Sequence, residues 1–521
     1  MDSEVKEFLE QQVKIMDQLE RDSNLASWNA NITGEDRYYA EGVEVDKKAN
    51  LFYSSKENFQ RVNEFLAQEL DEQTRRQLEI LRLGYMSAQA DLTLLDRETE
   101  ISSDVEKKFN LFRANLAGKT VTDNEIKEIL KESTDSDVLS EAWNASKLQG
   151  ELVAPQVLEL VKIRNQIAAS IGFRNYCDFS LAMDEQTEEE VSGVLDRLEV
   201  MTREPYRKLK GEIDDRLAAR LKLRPKELKP WHYQNLFFEE EPKATIVNLD
   251  TLYGKHDVIQ IAKKFYADIG LDVEDILARS DLFEKTGKNQ HAFCTILNRE
   301  GDVRILENVV NNEDWMATTQ HELGHAVYEK HSIEGLPFLL KSNPHTLVTE
   351  SIAIVMERLT KNPAFIRKYT GVEISKEDQV NLKEMQRQRQ LVFARWVMTM
   401  YNFEKELYSN PGQDLNAKWW ELVKKYQMID FSRDKPDWAS KIHIACYPMY
   451  YHNYTLGEML ASQIDSTLKR KLSPDALMNP GAGKFLVDRL FSKGSTLRWD
   501  KVIEASLEEK LDPKYFVEEF V

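Results

Sequence analysis

The chain has 521 residues, 42% of them apolar, a formal charge of −19 and only 20 glycines. So acidic a chain is a poor partner for nucleic acid or an anionic membrane, and no apolar run reaches the ~18 residues of a membrane-spanning helix. The start Met1-Asp-Ser-Glu-Val-Lys-Glu-Phe8 lacks a signal-peptide core, and three dispersed cysteines (Cys177, Cys294, Cys446) suggest no disulfide framework. A reducing cytoplasm is the expected compartment.

Nearly everything reads as helix, and the expected fold class is mainly α with a small sheet. Val5, Phe8, Leu9, Val13, Met16 and Leu19 make one amphipathic face. Similar patterns predict helices over roughly 36–72, 74–98, 104–115, 123–132, 136–171, 186–220 and 254–269. Two β-rich runs follow, His291-Ala-Phe-Cys-Thr-Ile-Leu297 and Val303-Arg-Ile-Leu306, around a turn at Arg299–Asp302. They predict a hairpin whose free edge can take an extended peptide as an added strand.

His321-Glu322-Leu323-Gly324-His325 comes next and decides the chemistry. Residues four apart stack on one helix face, so His321 and His325 can offer two imidazoles to one zinc ion. Glu322 is then within reach of a water held by the metal, as general base. Chance gives these five letters to ordinary helices too, but the surroundings support a helix: Asn312 is a good N-cap, with Glu313 and Asp314 in the first turn. Trp315, Met316, Leu323 and Val327 form an apolar stripe. Gly324 costs a helix about 1 kcal/mol relative to Ala, which implies close approach of a backbone or a substrate.

A third ligand is needed. His331 lies about 80° off the ligand face of a continuous helix and reads as a C-terminal cation. His345 follows Pro344 in a loop, and Glu350 opens a second apolar-periodic stretch running to Leu359. Glu350 completes a His₂Glu zinc site and is preferred, with His345 the alternative.

Helices are predicted again over 374–409 and 455–470. Before the last comes a cluster of Lys441, His443, Tyr447, Tyr450, Tyr451, His452 and Tyr454. Such clusters are often interior packing, but here they offer O–H and N–H donors for an oxyanion. Lys441 can pair with a substrate's terminal carboxylate.

Taken together, Trp28-Asn-Ala-Asn-Ile-Thr33, His291-Ala292, the zinc motif, Trp419-Trp-Glu-Leu-Val-Lys-Lys-Tyr-Gln427 and Asp437-Trp-Ala-Ser-Lys441-Ile-His443 resemble the angiotensin-converting-enzyme family of zinc dipeptidyl carboxypeptidases. The resemblance covers most of the chain. It implies a single catalytic domain over 1–521, with an N-terminal helical lid to roughly 115 and two helical lobes around a deep channel. It also implies short unstructured peptides as substrates, losing C-terminal dipeptides. By the same resemblance Lys441, Tyr451 (or Tyr450) and Gln234 hold the terminal carboxylate. His443 contacts a backbone carbonyl, Tyr454 stabilises the tetrahedral intermediate, and His291 with Ala292 lines the cleft.

The chain departs from that family in four ways. One extra residue separates His443 from the tyrosines, and His452 and Asn453 stand where a chloride-site arginine is expected. Glu350 comes one residue late. Ile354 stands where an acid should support the first zinc histidine. Tyr454-x-x-Gly457 also resembles the thimet-oligopeptidase and oligoendopeptidase group, in which cleavage is internal. Oligomeric state is not legible in the sequence.

Overall fold

The computed structural model describes residues 2–242, 247–332 and 335–521. It is 71% helical, and its described strands form two antiparallel hairpins, as expected for a mainly α chain. The chain forms two compact units: residues 1–89, 247–379 and 457–515 make the first, and 90–246, 380–456 and 516–521 the second. The first ~90 residues thus belong to the unit that carries the zinc motif. No described helix is long and apolar enough to cross a membrane, and all three cysteines are free.

In the first unit the N-terminal helix (Asp2–Thr33) buries Val5, Phe8 and Leu9 against Val62, Phe65, Leu78, Leu81 and Tyr85. Leu339, from the loop that follows the zinc motif, joins the same cluster. The predicted run 36–72 divides at Ser54–Ser55, because Ser55 caps a new helix by accepting from the Asn58 N–H. Asp91 likewise starts a new helix, Leu92–Leu111, across the predicted break between 98 and 104. Beyond it a small hairpin, Ala114–Leu116 with Lys119–Val121, was not expected. Its turn residues Ala117 and Gly118 have φ of 50° and 85°, the left-handed pair that suits a tight hairpin.

The predicted second hairpin is present as Phe293–Asn298 paired with Asp302–Leu306, with Cys294 opposite Ile305. His291 and Ala292 lie just before its first strand. Behind the hairpin runs the dihistidine helix, Glu313–His331, capped by Asn312, whose side chain accepts from the Trp315 N–H at 2.8 Å. Met316, Leu323 and Val327 are fully buried. Contrary to the expectation of a helix opening at the acid, the carboxylate helix begins four residues earlier, at Thr346, and ends at Leu359. His345 is its N-cap: Nδ1 accepts from the Leu347 N–H at 2.9 Å.

Gly324 is where these two helices meet. A Cβ there would lie 2.7 Å from Ala353 Cα and 3.2 Å from Ala353 N. The missing side chain therefore lets backbone touch backbone, which outweighs its cost in helix propensity. Farther along, Gly457 of the helix His452–Lys471 has the space of its absent Cβ in van der Waals contact with Glu350 Cβ, at 3.5 Å.

The second unit is built on the long helices Ser136–Ser170, Glu188–Leu221 and most of Lys376–Ser409. Arg395, buried between the last two, donates to Glu199 at 3.2 Å and to the Thr202 hydroxyl at 2.6 Å. Gln427 donates its amide to the carbonyls of Phe237 and Phe238, both at 2.9 Å, fixing the loop that precedes Glu239. At Gly150 an added Cβ would stand 2.5 Å from the Pro436 carbonyl oxygen, so the segment leading to Lys441 lies directly on the helix.

Gly324→Ala tests the helix contact. Overpacking costs about 1–3 kcal/mol, against about 1 kcal/mol gained in helix propensity. The variant should lose up to about 2 kcal/mol in denaturant unfolding and hold zinc more weakly. A variant as stable and as zinc-replete as the parent would mean that the two helices separate without cost.

Candidate active site

His321 and His325 face the carboxylate helix one turn apart, their ring centroids 4.9 Å from each other. Each ring has its Nδ1 engaged: His321 with a Glu357 oxygen at 3.1 Å, His325 with the Thr349 hydroxyl at 2.8 Å. That leaves the two Nε2 atoms pointing at one another, 3.2 Å apart. Glu350 brings its oxygens to 3.6 Å from His321 Nε2 and 3.8 Å from His325 Nε2. With both Nδ1 atoms as donors, two lone pairs and a carboxylate converge on one point. All three donor atoms lie within 4.8 Å of one another. This donor set suits zinc, which takes imidazole nitrogen and carboxylate oxygen in catalytic sites.

Glu357 is a residue that the sequence reading missed. The acid supporting the first histidine was sought one turn after Glu350, where Ile354 stands; it lies two turns after, and seven residues return to the same helix face. Burial lowers the His321 pKa, but the Glu357 hydrogen bond and the charges of Glu322 and Glu350 raise it by more, to about 9. Burial, with the charge of His321, pushes His325 down to about 3. A metal ion at this pair would compete with a proton on His321.

Glu322 is buried beside the pair but is no part of the donor cluster. Burial pushes its pKa up to about 7, His321 opposes the rise, and the Cys294 N–H donates to its carboxylate. That donor explains what the hairpin does here. The Asp281 backbone bonds the Ile305 carbonyl and the Glu307 N–H on the far side of the second strand. Cys294 opposite Ile305 is therefore a non-hydrogen-bonded pair, with its own polar groups turned outward. On that outer edge Glu322 takes the Cys294 N–H, and Asn24 donates to the Ile296 carbonyl at 2.8 Å.

In the second unit the expected tyrosine cluster forms. Tyr451 packs on His443 and on Tyr454, with ring centroids 4.8 and 5.3 Å away, and Tyr450 packs on Tyr454 at 5.5 Å. Burial, with the Lys441 charge, pushes His443 down to about 4, so its ring is neutral at pH 7. Lys441 forms an ion pair with Glu239, and the Tyr451 hydroxyl donates to the same Glu239 oxygen at 3.2 Å. Tyr451 rather than Tyr450 is therefore the tyrosine that shares a partner with Lys441. Gln234 donates its amide to the Lys131 carbonyl at 2.7 Å. His452 and Asn453 are both bonded to Gln186, at 2.6 and 2.8 Å, and Asn453 to Asp184 at 3.5 Å. The place of the missing arginine is thus filled by a buried hydrogen-bonded network with an acid at its end. Glu239 has no motif of its own, and only its contacts reveal it.

These geometries agree with the comparisons to known proteins. The chain belongs to peptidase family M3, whose profile matches residues 129–521. It is a metallopeptidase, and the peptidases of this family are zinc-dependent. The angiotensin-converting-enzyme profile of family M2 matches residues 1–222, so both halves of the expected resemblance are met. Angiotensin-converting enzyme of Theromyzon tessulatum is 22% identical over 73% of this chain and 68% of its own length. Carboxypeptidase 1 of Bacillus subtilis is 22% identical over 82% of this chain and 84% of its own. Oligopeptidase PepF of the same organism is 25% identical over 44% of this chain.

Ligand assignment and ring support are separable by competition with a chelator. Glu357→Gln should weaken zinc binding about 10–100-fold, the usual effect of losing an outer partner of a ligating histidine. Glu350→Ala should lose more, and His345→Ala, which removes a helix cap, should stay near wild type. A His345→Ala protein that empties while Glu350→Ala stays loaded would reverse the assignment.

Proposed function

We propose that this chain hydrolyses peptide bonds of short, unstructured peptides at one zinc ion held by His321, His325 and Glu350. The observation that carries this is the convergence of three donor atoms beside a buried glutamate that is not among them. Zinc, when bound, supplies Lewis acidity: it polarises a carbonyl and acidifies water. Glu322 takes the proton of the attacking water and returns it to the leaving amine. The Cys294 N–H holds the Glu322 carboxylate in one orientation meanwhile. A nearby dication would favour the ionised form of Glu322, the form that accepts a proton.

The oxyanion receives the Tyr454 hydroxyl, assisted by His443. Support for Tyr454 comes from its helix: it stands one turn before Gly457, the residue in contact with Glu350. His443, being neutral, contributes an N–H rather than a charge. His291 and the backbone of Ala292 hold the peptide extended. This is supported by the outer edge of the hairpin, whose next two positions are already occupied at Cys294 N and Ile296 O.

The family resemblance favours dipeptide release from the C-terminus, with Lys441, Tyr451 and Gln234 as a carboxylate clamp. Two contacts favour the other version. Lys441 and Tyr451 already share Glu239, and the Gln234 amide is directed to Lys131. We therefore assign cleavage to internal bonds of short peptides, as in an oligopeptidase.

Glu322→Gln should keep its zinc and lose about 10²–10⁴ in kcat. Retention of more than about a tenth of the rate would remove Glu322 from this role. Substrate end is decided by mapping products from a ladder of peptides with free and amidated C-termini. Internal cuts should dominate, and the two forms should differ less than about threefold in kcat/KM, under about 0.7 kcal/mol. Stepwise loss of C-terminal dipeptides, with a 10–150-fold penalty for amidation, would instead establish the clamp, at about 1.5–3 kcal/mol.

A further inference from the structure

Resting on the internal-cleavage reading, we propose that Glu239 is a built-in occupant of a carboxylate socket and thereby sets which end of a peptide the enzyme ignores. One Glu239 oxygen, Oε2, receives both the Lys441 ammonium and the Tyr451 hydroxyl. A cation and a hydroxyl donor on one carboxylate oxygen is the reception that a peptide's terminal carboxylate would need. The ammonium is walled by the rings of Phe237, Trp396 and Tyr451, 5.3–5.5 Å from their centroids. Such walls exclude water and strengthen a charge pair.

A second lysine adds to the socket. Lys147 is buried, donates to the Ser440 hydroxyl at 3.1 Å and lies 3.2 Å from the centre of the Phe237 ring. Burial pushes the Lys147 pKa well down, so Lys147 adds a polar nitrogen, and without Glu239 the aromatic walls would enclose the Lys441 cation without its counter-charge. The socket is also reachable, since the Lys441 and Glu239 side chains keep 13% and 20% of their exposure.

A tethered group competes at an effective concentration of about millimolar. A peptide carboxylate at micromolar concentration must displace it and loses. The socket is therefore closed to substrate termini by a group on the same chain. Nothing is lost for internal cleavage, which needs no terminal anchor. The alternative is an ion pair that only anchors the loop around Phe237 and Phe238.

Glu239→Gln separates these. It removes the charge and keeps the shape, so the ratio of kcat/KM for a free-acid peptide to that for its amide should rise about tenfold or more, through KM. Because the ratio is taken within each variant, a general loss of activity cancels. Adding Lys441→Met to Glu239→Gln should return the ratio to near one. For a variant too slow to assay, calorimetric binding of an acetylated tripeptide acid and its amide gives the same ratio. Should Glu239→Gln fail to fold, Glu239→Asp keeps the charge but withdraws it by one methylene, and a smaller rise is expected. An unchanged ratio in the variant that folds, with a wild type near one, overturns the socket alone. A wild type that already prefers the free acid tenfold overturns internal cleavage instead, and the socket with it.

Discussion

The catalytic geometry depends on one backbone contact, that of Gly324 with Ala353. Two helices with ordinary side chains at their crossing lie about 8–10 Å apart. Here a Cβ at 324 would sit 2.7 Å from a backbone atom, so the axes are drawn together at this point. The contact falls between the two histidines in the dihistidine helix and three residues after Glu350 in the carboxylate helix. Three ligands from two helices are then set by one crossing rather than by three side-chain conformations. The supporting groups follow from the same crossing, because Thr349 and Glu357 come from the carboxylate helix as well. Rings already held at Nδ1 lose little freedom when Nε2 binds a metal, which is the condition for a preorganised site.

That crossing also concentrates acids. Glu307, Glu322, Glu329 and Glu350 all have pKa values raised chiefly by burial, Glu307 to about 8 and Glu322 and Glu329 to about 7. Burying so many carboxylates opposes folding of the metal-free chain unless some are protonated. Thr319 donates to Glu307 at 3.1 Å and Asn343 to Glu329 at 2.6 Å, so both acids keep a hydrogen-bond donor in the interior. A dication at the dihistidine pair would reverse the effect for the nearest acids, Glu322 and Glu350, and hold them ionised. The acids cost stability without the metal and gain function with it, the trade expected of a binding site.

The helical character, the caps at Asn312 and the hairpin at 293–306 were legible because each rests on local rules: periodicity, a capping side chain, a turn. Gly324 was legible as an anomaly, and the anomaly had the expected cause. Local rules failed where two signals overlap. A capping Ser55 or Asp91 interrupts a helix without interrupting its apolar period, so two helices read as one. His345 resembled a ligand in sequence but serves as a cap, because a ring nitrogen accepts a backbone N–H as a carboxylate does. Glu357 was overlooked because one turn and two turns along a helix are equivalent faces, and family spacing pointed to the nearer. Glu239 was illegible for a deeper reason. Its role lies in contacts with Lys441 and Tyr451, about 200 residues distant, and its neighbours Glu240 and Glu241 have the same local character.

The Glu239 contact bears on how the two cleavage modes are related. On the internal-cleavage reading proposed above, the lysine, tyrosine and aromatic walls present in this chain do not by themselves specify an exopeptidase. On the same reading, what specifies it is the net charge of the cavity they form. One carboxylate on a neighbouring loop neutralises the lysine and satisfies the tyrosine, which removes the anchor without disturbing the packing. The loop can vary with little cost elsewhere, because its position is fixed by backbone carbonyls bonded to Gln427 rather than by the Glu239 side chain. A change of substrate end would then be a change of a single charge on a loop, while the chemistry proposed for the dihistidine site would stay as it was. Reaction type and substrate end thus rest on separate physical features, and a likeness in one carries no information about the other.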